Sequence, residues 1–490
     1  MGTDRLEVAR SPFRRLRWSA DRSRSRAPRG RCGPDRERPT PDAAAARLSE
    51  ALTLSGYHLK VASSENRLPR LPGRALLSSR KPGSTCVALI AALAFSVTAA
   101  VAGTVRSGTE PGVAVDSIVL GGTAPLTGAA SRYAAVARGA WAYFQYANNR
   151  GGVYGRKIHY RYVDDGDNPA ITVTATRQLI QQDKVFAIFN SPGTATNLAV
   201  RGELNGGKVP QLFVASGATT WGRDYGQYPY TSGFQPTYQA EGWVYGKYLA
   251  RTASGSRVAV LFENDDYGKD LLGGLKRGLE RSRVKVIAAE AYEVTSTDVA
   301  SQIAKLRASG ADTLVLFATP TFAIQAYQAA NRIGWKPKHV VTNAAAAASA
   351  SMQAASFGGR NRLVNGTISI QFLRDPTDLR SRKDPATGLY RRIMKQYAPG
   401  ANADDPLYVY GMAAAWTAVE ALKKAGKDLT RASLVAALDT FTAMGNPFLL
   451  PGIVVKTAGK DHDPIEQMLL RRWQNGSWKA FGGLWAYPAS

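Results

Sequence analysis

From residue 117 onward, short runs of β-branched and aromatic residues alternate with longer segments in which apolar residues recur at every third or fourth position. The short runs predict eight strands, at 117–122, 157–163, 185–189, 211–215, 257–262, 285–292, 313–317 and 339–342. The longer segments predict seven helices, at 134–148, 170–182, 194–204, 238–250, 269–281, 298–308 and 321–333. Strand followed by helix, repeated this often, predicts parallel sheets with helices on both faces.

The order of these elements restarts part-way along the chain. Two blocks with the same alternation flank Phe234-Gln235-Pro236, and the second block begins at Tyr238. The sequence therefore predicts an α/β protein with two similar lobes. In open parallel sheets, ligands bind where the carboxyl ends of strands meet the N-termini of helices, so the loops that follow the strands are the candidate binding region.

The first part of the chain has a different composition. Residues 1–85 hold 19 basic and 8 acidic side chains, and an arginine-rich run extends over 14–38. Clustered guanidinium groups are typical of nucleic-acid binding, but this run has neither interleaved aromatic residues nor helical periodicity. Disorder explains the composition better, so we expect residues 1–79 to be a basic disordered extension and expect no nucleic-acid partner.

A secretory signal peptide is predicted after this extension. Arg80 and Lys81 precede an uncharged apolar stretch at 86–101, and residues 100–102 have the small-x-small pattern of a signal-peptidase site. We therefore assign residues 80–102 to a signal peptide, which places the protein in the periplasm or at the extracellular face of the membrane.

The position of this signal peptide raises two further hypotheses. Signal peptides normally start the chain, so we hypothesise that residues 1 to about 73 are not translated in the cell. If the stretch at 86–101 is not cleaved, it would anchor the protein, although it is shorter than the ~20 residues of a usual membrane span. A linker rich in glycine, serine and threonine is expected at 103–113.

Composition and the scarcity of reactive side chains argue against several classes of enzyme. Hydrophobic residues make up 44% of the 490 residues and charged residues 20%, which is typical of a globular protein. Both cysteines, Cys32 and Cys86, precede the strand pattern, so thiolate catalysis and cysteine-ligated zinc are excluded from the rest of the chain. Neither G-x-G-x-x-G, H-E-x-x-H nor G-x-S-x-G occurs, and we predict no catalytic residue, no metal and no cofactor.

Two motifs have ordinary structural explanations. Residues 202–208 have the spacing of a phosphate-binding loop, but Val209 stands where a Mg²⁺-binding Ser or Thr is needed, so we interpret the glycines as a helix end. The acidic run at 164–167 lacks the rest of an EF-hand loop. We interpret it as a turn in which Asp167 or Asn168 caps the next helix.

Two strand-exit loops carry the binding signal. Residues 190–196 and 216–220 place glycine and small hydroxyl residues directly before helices, where free backbone N–H groups and the helix dipole favour an anionic oxygen. Ordinary helix N-capping by the hydroxyl residues is the alternative. The candidate ligand-binding residues of these loops are Ser191, Gly193, Thr194, Gly217, Thr219 and the following Trp221.

Five stretches together resemble a known family. They are 124–128 (APLTG), 148–157 (NNRGGVYGRK), 190–194 (NSPGT), 216–219 (SGAT) and 264–268 (NDDYG). In this order and spacing the chain, from residue 118 to about 473, resembles the branched-chain amino acid (leucine/isoleucine/valine) binding proteins of ABC importers, which have the type I periplasmic binding protein fold.

The resemblance implies a fold and a domain organisation. Two doubly wound parallel-sheet lobes would be joined by a hinge of three chain segments, and ligand would be enclosed when the lobes close. Lobe 1 would consist of residues 114–236 with 372–450, and lobe 2 of residues 237–371 with 451–490.

The resemblance also implies a site and a function. Ser191 and Thr219 would bind a ligand carboxylate with the backbone of Gly217. The aromatic walls would be Tyr133 in lobe 1 and Tyr267 and Phe322 in lobe 2. The protein would be a non-catalytic, monomeric receptor that delivers a small ligand to the transmembrane subunits of an ABC permease, with a membrane-tethered ligand sensor of the same fold as the alternative.

One departure from the family's pattern concerns the ligand's charge. Members that bind amino acids pair the ligand ammonium with an acid at the exit of the strand that corresponds to 340–342, but residues 343–346 are Asn-Ala-Ala-Ala, and no Asp or Glu occurs between 313 and 374. A buried ammonium without a counter-charge is costly. The sequence therefore favours a neutral amide or a carboxylate ligand, unless Glu263, Asp265 or Asp266 supplies the acid.

Overall fold

The computed structural model of the chain describes residues 110–378 and 381–488. The sheet of the first lobe has five parallel strands in the order β2-β1-β3-β4-β5. On β1, Ile118 and Leu120 pack into the main core while Val119 packs against a smaller core on the other side, so both faces are covered. The strands are β1 Ser117–Ala124, β2 Lys157–Asp164, β3 Ala187–Phe189, β4 Gln211–Val214 and β5 Thr231–Gly233.

The second lobe contains a seven-stranded sheet in the order β14-β13-β10-β9-β8-β6-β7. Its strands β6–β10 pair in parallel, whereas β13 is antiparallel to both β10 and β14. The strands are β6 Arg257–Glu263, β7 Lys285–Tyr292, β8 Thr313–Phe317, β9 His339–Thr342, β10 Ile368–Gln371, β13 Gln467–Gln474 and β14 Ser477–Ala486, while β11 Thr442–Ala443 and β12 Val455–Lys456 pair with each other.

The helices of the described residues cover the faces of both sheets. Helix α1 packs against α11 in the first lobe, and α5 packs against α6 in the second. The helices are α1 Ala134–Asn148, α2 Pro169–Gln181, α3 Thr194–Gly206, α4 Thr220–Arg223, α5 Tyr238–Thr252, α6 Asp266–Leu279, α7 Ala300–Ala308, α8 Pro320–Arg332, α9 Ser349–Ser356, α10 Pro385–Tyr397, α11 Pro406–Ala425 and α12 Arg431–Leu438.

The structure confirms the predicted fold class. All eight predicted strands and all seven predicted helices are present, and their ends lie within a few residues of the predicted ones. Helix α6 begins at Asp266 rather than at 269 because the side chain of Asp265 accepts a hydrogen bond from the Gly268 amide, which caps the helix.

Among the described residues, the pattern missed six strands, of which β11 and β12 have only two residues each. Strands β5 and β10 have only three and four residues, too few for a period to be recognised. The hairpin of β13 and β14 was also missed, although the Asn475-Gly476 pair between these strands is a turn signal typical of hairpins. This hairpin could therefore have been predicted from the sequence.

The described segments that pass between the two sheets are 234–237, 372–378 with 381–384, and 457–466. The predicted extension at 1–79, the signal peptide at 80–102 and the first part of the linker lie outside the described residues. Within the described part of the chain, no helix has the length and apolar character needed to cross a membrane.

Candidate functional site

A cavity of about 240 Å³ lies between the two lobes, beside the segments that connect them. The first lobe contributes Pro125, Tyr133, Asp167, Gly193, Thr194 and Tyr410, and the second contributes Tyr238, Glu263, Asp265, Tyr267, Thr319 and Arg471. The crossing segments contribute Gln235 and residues 372–375. Because all three parts of the fold form its wall, the shape of the cavity depends on how the lobes are arranged.

The loops that follow parallel strands supply many of these side chains. Asp167 lies beyond β2, Gly193 and Thr194 lie beyond β3, Glu263 ends β6, and Thr319 lies beyond β8. The carboxyl ends of parallel strands meet at one edge of each sheet, so residues distant in sequence are brought together there. The cavity lies where the sequence predicts a binding region.

Four of the nine predicted site residues line the cavity: Tyr133, Gly193, Thr194 and Tyr267. The Tyr267 hydroxyl accepts a hydrogen bond from Asn343 Nδ2 at 2.6 Å. Its ring centroid lies 4.9 Å from that of Tyr238, in an edge-to-face arrangement. Gly193 has a φ of 108°, a conformation that residues with a side chain rarely adopt. The roles of these four residues in binding stay predictions.

Three other predicted residues form hydrogen bonds within the first lobe or with the start of α5. Ser191 is buried, and its Oγ accepts a hydrogen bond from the Thr123 amide at 2.9 Å. The Gly217 carbonyl accepts one from the Tyr238 amide at 2.6 Å. Trp221 is buried, and its Nε1 donates to Ser216 Oγ at 3.0 Å. None of the three is among the residues that line the described cavity.

Thr219 and Phe322 also lie outside the cavity lining. The amide of Thr219 donates to Asp270 Oδ2 at 2.7 Å. The ring of Phe322 packs against that of Tyr292, with 4.4 Å between the centroids. The alternative of side-chain capping by Ser191, Thr194 or Thr219 is wrong, because helices α3 and α4 carry no side-chain cap.

Sequence reasoning did not select Asp167 and Tyr238 as site residues. In the acidic turn, Asn168 caps α2 by accepting a hydrogen bond from the Ala170 amide at 2.9 Å. Asp167 is thereby left to line the cavity. The sequence did contain a signal: only one of Asp167 and Asn168 can cap the helix, so the other side chain is free for another role. That Asp167 lines a cavity becomes visible only when the second lobe is placed opposite it.

Three carboxyl groups form the acidic end of the cavity: Asp167 in the first lobe and Glu263 and Asp265 in the second. Glu263 is 4% exposed, and its Oε2 accepts hydrogen bonds from the Tyr292 hydroxyl at 2.5 Å and from Thr319 Oγ1 at 3.4 Å. Burial and the nearby Asp265 raise the pKa of Glu263 to about 7. Burial and the neighbouring acids raise the pKa of Asp167 to about 6 and also raise that of Asp265.

Two arginines line the cavity near the crossing segments. Arg471 Nη2 donates to the Ala347 carbonyl at 3.1 Å, Nη1 lies 3.8 Å from Asp375 Oδ2, and the guanidinium lies 4.4 Å from the centre of the Trp478 ring. Burial lowers the pKa of Arg471. Arg374 forms an ion pair with Asp384. Both arginines therefore have acidic partners within the chain.

Residues 117–477 match the model of a family described as periplasmic binding protein. The chain belongs to the periplasmic binding protein family. It is 28% identical over 212 residues to an amino acid binding protein of Pseudomonas aeruginosa, and the matched region covers 41% of this chain and 53% of that protein. It is 28% identical over 204 residues to Leu/Ile/Val-binding protein homolog 2 of Brucella abortus, with the same coverage. The chain thus spans about half the length of these curated relatives.

Solved structures share the fold. A branched chain amino acid ABC transporter protein from Thermus thermophilus with bound valine has a TM-score of 0.67 at 17% identity, covering 77% of this chain and 98% of that one. A fatty acid ABC transporter substrate-binding protein from Thermomonospora curvata has a TM-score of 0.64 at 22% identity, covering 78% and 95%. At these identities the likeness shows the fold of this periplasmic binding protein and not its ligand.

A hydrogen bond joins the two lobes of this periplasmic binding protein. Thr219 follows β4 in the first lobe, and its amide partner Asp270 lies on α6 in the second. Asp270 Oδ1 also accepts a hydrogen bond from Gln239 Nε2 at 3.4 Å. The contact therefore favours the arrangement in which the lobes lie close together.

Replacing Asp270 by alanine should shift the protein toward a more open arrangement. A charge-assisted hydrogen bond contributes about 1.5–3 kcal/mol, so the ratio of closed to open molecules should fall about 10- to 150-fold. Small-angle scattering of the protein without added ligand should give a larger radius of gyration. Asp428→Ala, at an exposed position distant in sequence from Asp270, is the control. Identical scattering of Asp270→Ala and the control would show that this bond does not hold the lobes.

Proposed function

We propose that this protein is an extracytoplasmic substrate-binding protein of an ABC importer. It captures a small amino-acid-like, amide or carboxylate ligand between its lobes and delivers it to the transmembrane subunits of a permease. Residues 80–102 direct its export in this proposal. The observation that carries it is the cavity between the lobes, whose wall is formed by both lobes and by the segments that connect them. Such a wall is completed only by lobe closure, which is how a two-lobed receptor encloses a ligand.

The size of the cavity supports a small ligand. Its volume of about 240 Å³ is below the ~300–1,000 Å³ that is usual for drug-sized ligands. A molecule of the size of an amino acid or a single aromatic ring suits this volume. Apolar contacts would come from residues such as Ile370, Phe372 and Leu407, which line the cavity beside the polar groups.

The acids of the cavity support a ligand with an ammonium group. Strand β9 is followed by Asn343, whose Oδ1 accepts a hydrogen bond from the Ala318 amide at 3.2 Å. No acid lies at this strand exit, but Glu263 and Asp265 reach the cavity from another loop. The sequence left open that residues 263–266 supply the acid for a ligand ammonium. The position of Glu263 and Asp265 therefore supports amino-acid-like ligands.

Native mass spectrometry of the full chain as purified, followed by calorimetry with the molecule it carries, tests the proposal. We expect a bound small molecule and a smaller radius of gyration at saturating ligand. Tyr133→Ala removes a ring that lines the cavity and should weaken binding at least tenfold, because aromatic contact area is lost. Tyr154→Ala, at a tyrosine that is 48% exposed, is the matched control.

A protein whose scattering does not change with any bound molecule would contradict the proposal. So would equal weakening of binding by Tyr133→Ala and Tyr154→Ala. For the permease partner, cells that lack the gene should lose uptake of the molecule identified by mass spectrometry, and unchanged uptake would contradict delivery.

A further inference from the structure

The carboxyl groups at the acidic end of the cavity form no ion pair within the described residues, although the charge of Lys269 acts on Asp265. Among the residues that the structure describes, no Lys, Arg or His side chain forms an ion pair with Asp167, Glu263 or Asp265. Glu263 is 96% removed from solvent, yet only its Oε2 has hydrogen-bond donors in the protein, and the residue lines the cavity. The Tyr292 and Thr319 hydroxyls both donate to Oε2, so Oε1 can accept a hydrogen bond from a ligand group in the cavity.

The basic side chains of the cavity do not compensate for these acids. Arg374 is paired with Asp384, and Arg471 is paired with Asp375 and with the Ala347 carbonyl. Each arginine thus has a carboxylate of its own. Neither arginine forms an ion pair with the three acids at the other end of the cavity.

One group expected to bind a ligand carboxylate, the Thr219 amide, is occupied by the chain itself, while the Thr219 hydroxyl is buried without a hydrogen-bond partner. The Thr219 amide donates to Asp270 Oδ2, so a carboxylate of the second lobe already takes this position. Ser191 Oγ accepts a hydrogen bond from the Thr123 amide and is buried. A ligand carboxylate at the Thr219 amide would have to displace Asp270, which disfavours ligands of net negative charge.

Aromatic rings border the acidic end. Tyr133, Tyr238 and Tyr267 line the cavity with the three acids, and burial, with a smaller effect of Glu263 or Asp265, raises the pKa of each hydroxyl. Faces of aromatic rings attract organic cations. Carboxylates and tyrosines in one small cavity are therefore a combination suited to an amine.

We propose that the ligand is a small organic amine of net positive charge, held between Asp167 of the first lobe and Glu263 and Asp265 of the second. This inference rests on the proposed function, a receptor for a small ligand, and replaces the amide and carboxylate alternatives with an amine. Without the amine, lobe closure brings the carboxyl groups of the two lobes toward each other. With the amine bound, its positive charge attracts the carboxyl groups of both lobes. The amine thus supplies the attraction that keeps the lobes closed.

Calorimetry of the full chain with four probes tests the inference: 1,4-diaminobutane, lysine, leucine and 3,4-dihydroxybenzoate. We expect the two probes of net positive charge to bind at least tenfold more tightly than leucine, and the benzoate to bind least. Asp167→Asn should weaken binding of both amines at least tenfold, because it removes a charge-assisted contact. Asp428→Asn, which removes an exposed acid, is the control and should bind as the unaltered protein does.

Glu263→Gln is the second variant, because glutamine can still accept the hydrogen bond from the Tyr292 hydroxyl and the packing is kept. It should weaken amine binding as Asp167→Asn does. Amine binding that is unchanged in both variants would overturn the inference. If leucine or the benzoate binds more tightly than the amines and reduces the protein's radius of gyration, the amine inference is overturned. The proposed function would then be upheld. A protein that no bound molecule compacts would overturn both.

Discussion

Replacing Gly274 by alanine should lower the free energy of unfolding by about 1–3 kcal/mol, the usual cost of an added methyl group in a tightly packed contact. A Cβ at this position would lie 2.2 Å from the Gln239 carbonyl oxygen, on the facing helix α5. Neighbouring Gly273 has no atom within 4 Å of its Cβ position. Gly273→Ala should therefore leave stability unchanged or raise it by about 0.5–1 kcal/mol, since alanine is the better helix former.

Urea unfolding followed by circular dichroism measures both effects. The two substitutions add the same methyl group to adjacent positions of one helix, so helix propensity cancels in the comparison and only the contact between α5 and α6 differs. Gly246, on the facing helix, makes a similar approach, with its Cβ position 2.5 Å from the Leu275 carbonyl oxygen. Equal denaturation midpoints for Gly273→Ala and Gly274→Ala would show that the helices are not held at this distance.

Stability without ligand should fall as the pH rises from about 4.5 to about 7.5. Glu241 is 2% exposed, and its Oε1 accepts hydrogen bonds from the Ala344 amide at 2.6 Å and the Tyr245 hydroxyl at 2.8 Å. Burial raises its pKa to about 7. Burial also raises the pKa of Glu263 and that of Asp463 to about 7. The folded protein thus keeps protons that the unfolded chain releases near pH 4, so the contribution of these three acids to stability is full below that pH and is lost as the pH rises through about 7.

Glu241→Gln should reduce this pH dependence. Glutamine keeps an oxygen acceptor for Ala344 and Tyr245 but carries no charge, so the decline in stability between pH 5 and pH 8 should shrink by on the order of 1–3 kcal/mol. Melting temperatures at several pH values measure the effect. Glu280→Gln, at an exposed position, is the control and should show the decline of the unaltered protein. The same decline in Glu241→Gln would mean that Glu241 is not the buried acid responsible.

The strands and helices of this protein could be predicted from sequence because their signals are local. Strand β6 shows why: Val258 and Val260 enter the main core, and Ala259 and Leu261 enter the core on the other face, so an uninterrupted apolar run indicates a strand buried on both sides. Tyr267 was predicted through the family resemblance, because it lies in the stretch NDDYG, whose Asp265 caps α6.

The partners of the site residues could not be predicted, because they come from distant parts of the chain. Whether the Thr219 amide is free for a ligand depends on Asp270, which α6 brings to it from the other lobe. The acid opposite a ligand ammonium was sought after β9, with Glu263, Asp265 or Asp266 as the open alternative, and the structure places Glu263 and Asp265 in the cavity from the end of β6 and the loop after it. The sequence by itself determined the two-lobed α/β fold and the loops that border the cavity, because hydrophobic periodicity and helix starts are encoded within about ten neighbouring residues. Only the tertiary structure decided the charge of the cavity, because a carboxyl group's surroundings and pKa are set by the groups that folding packs around it.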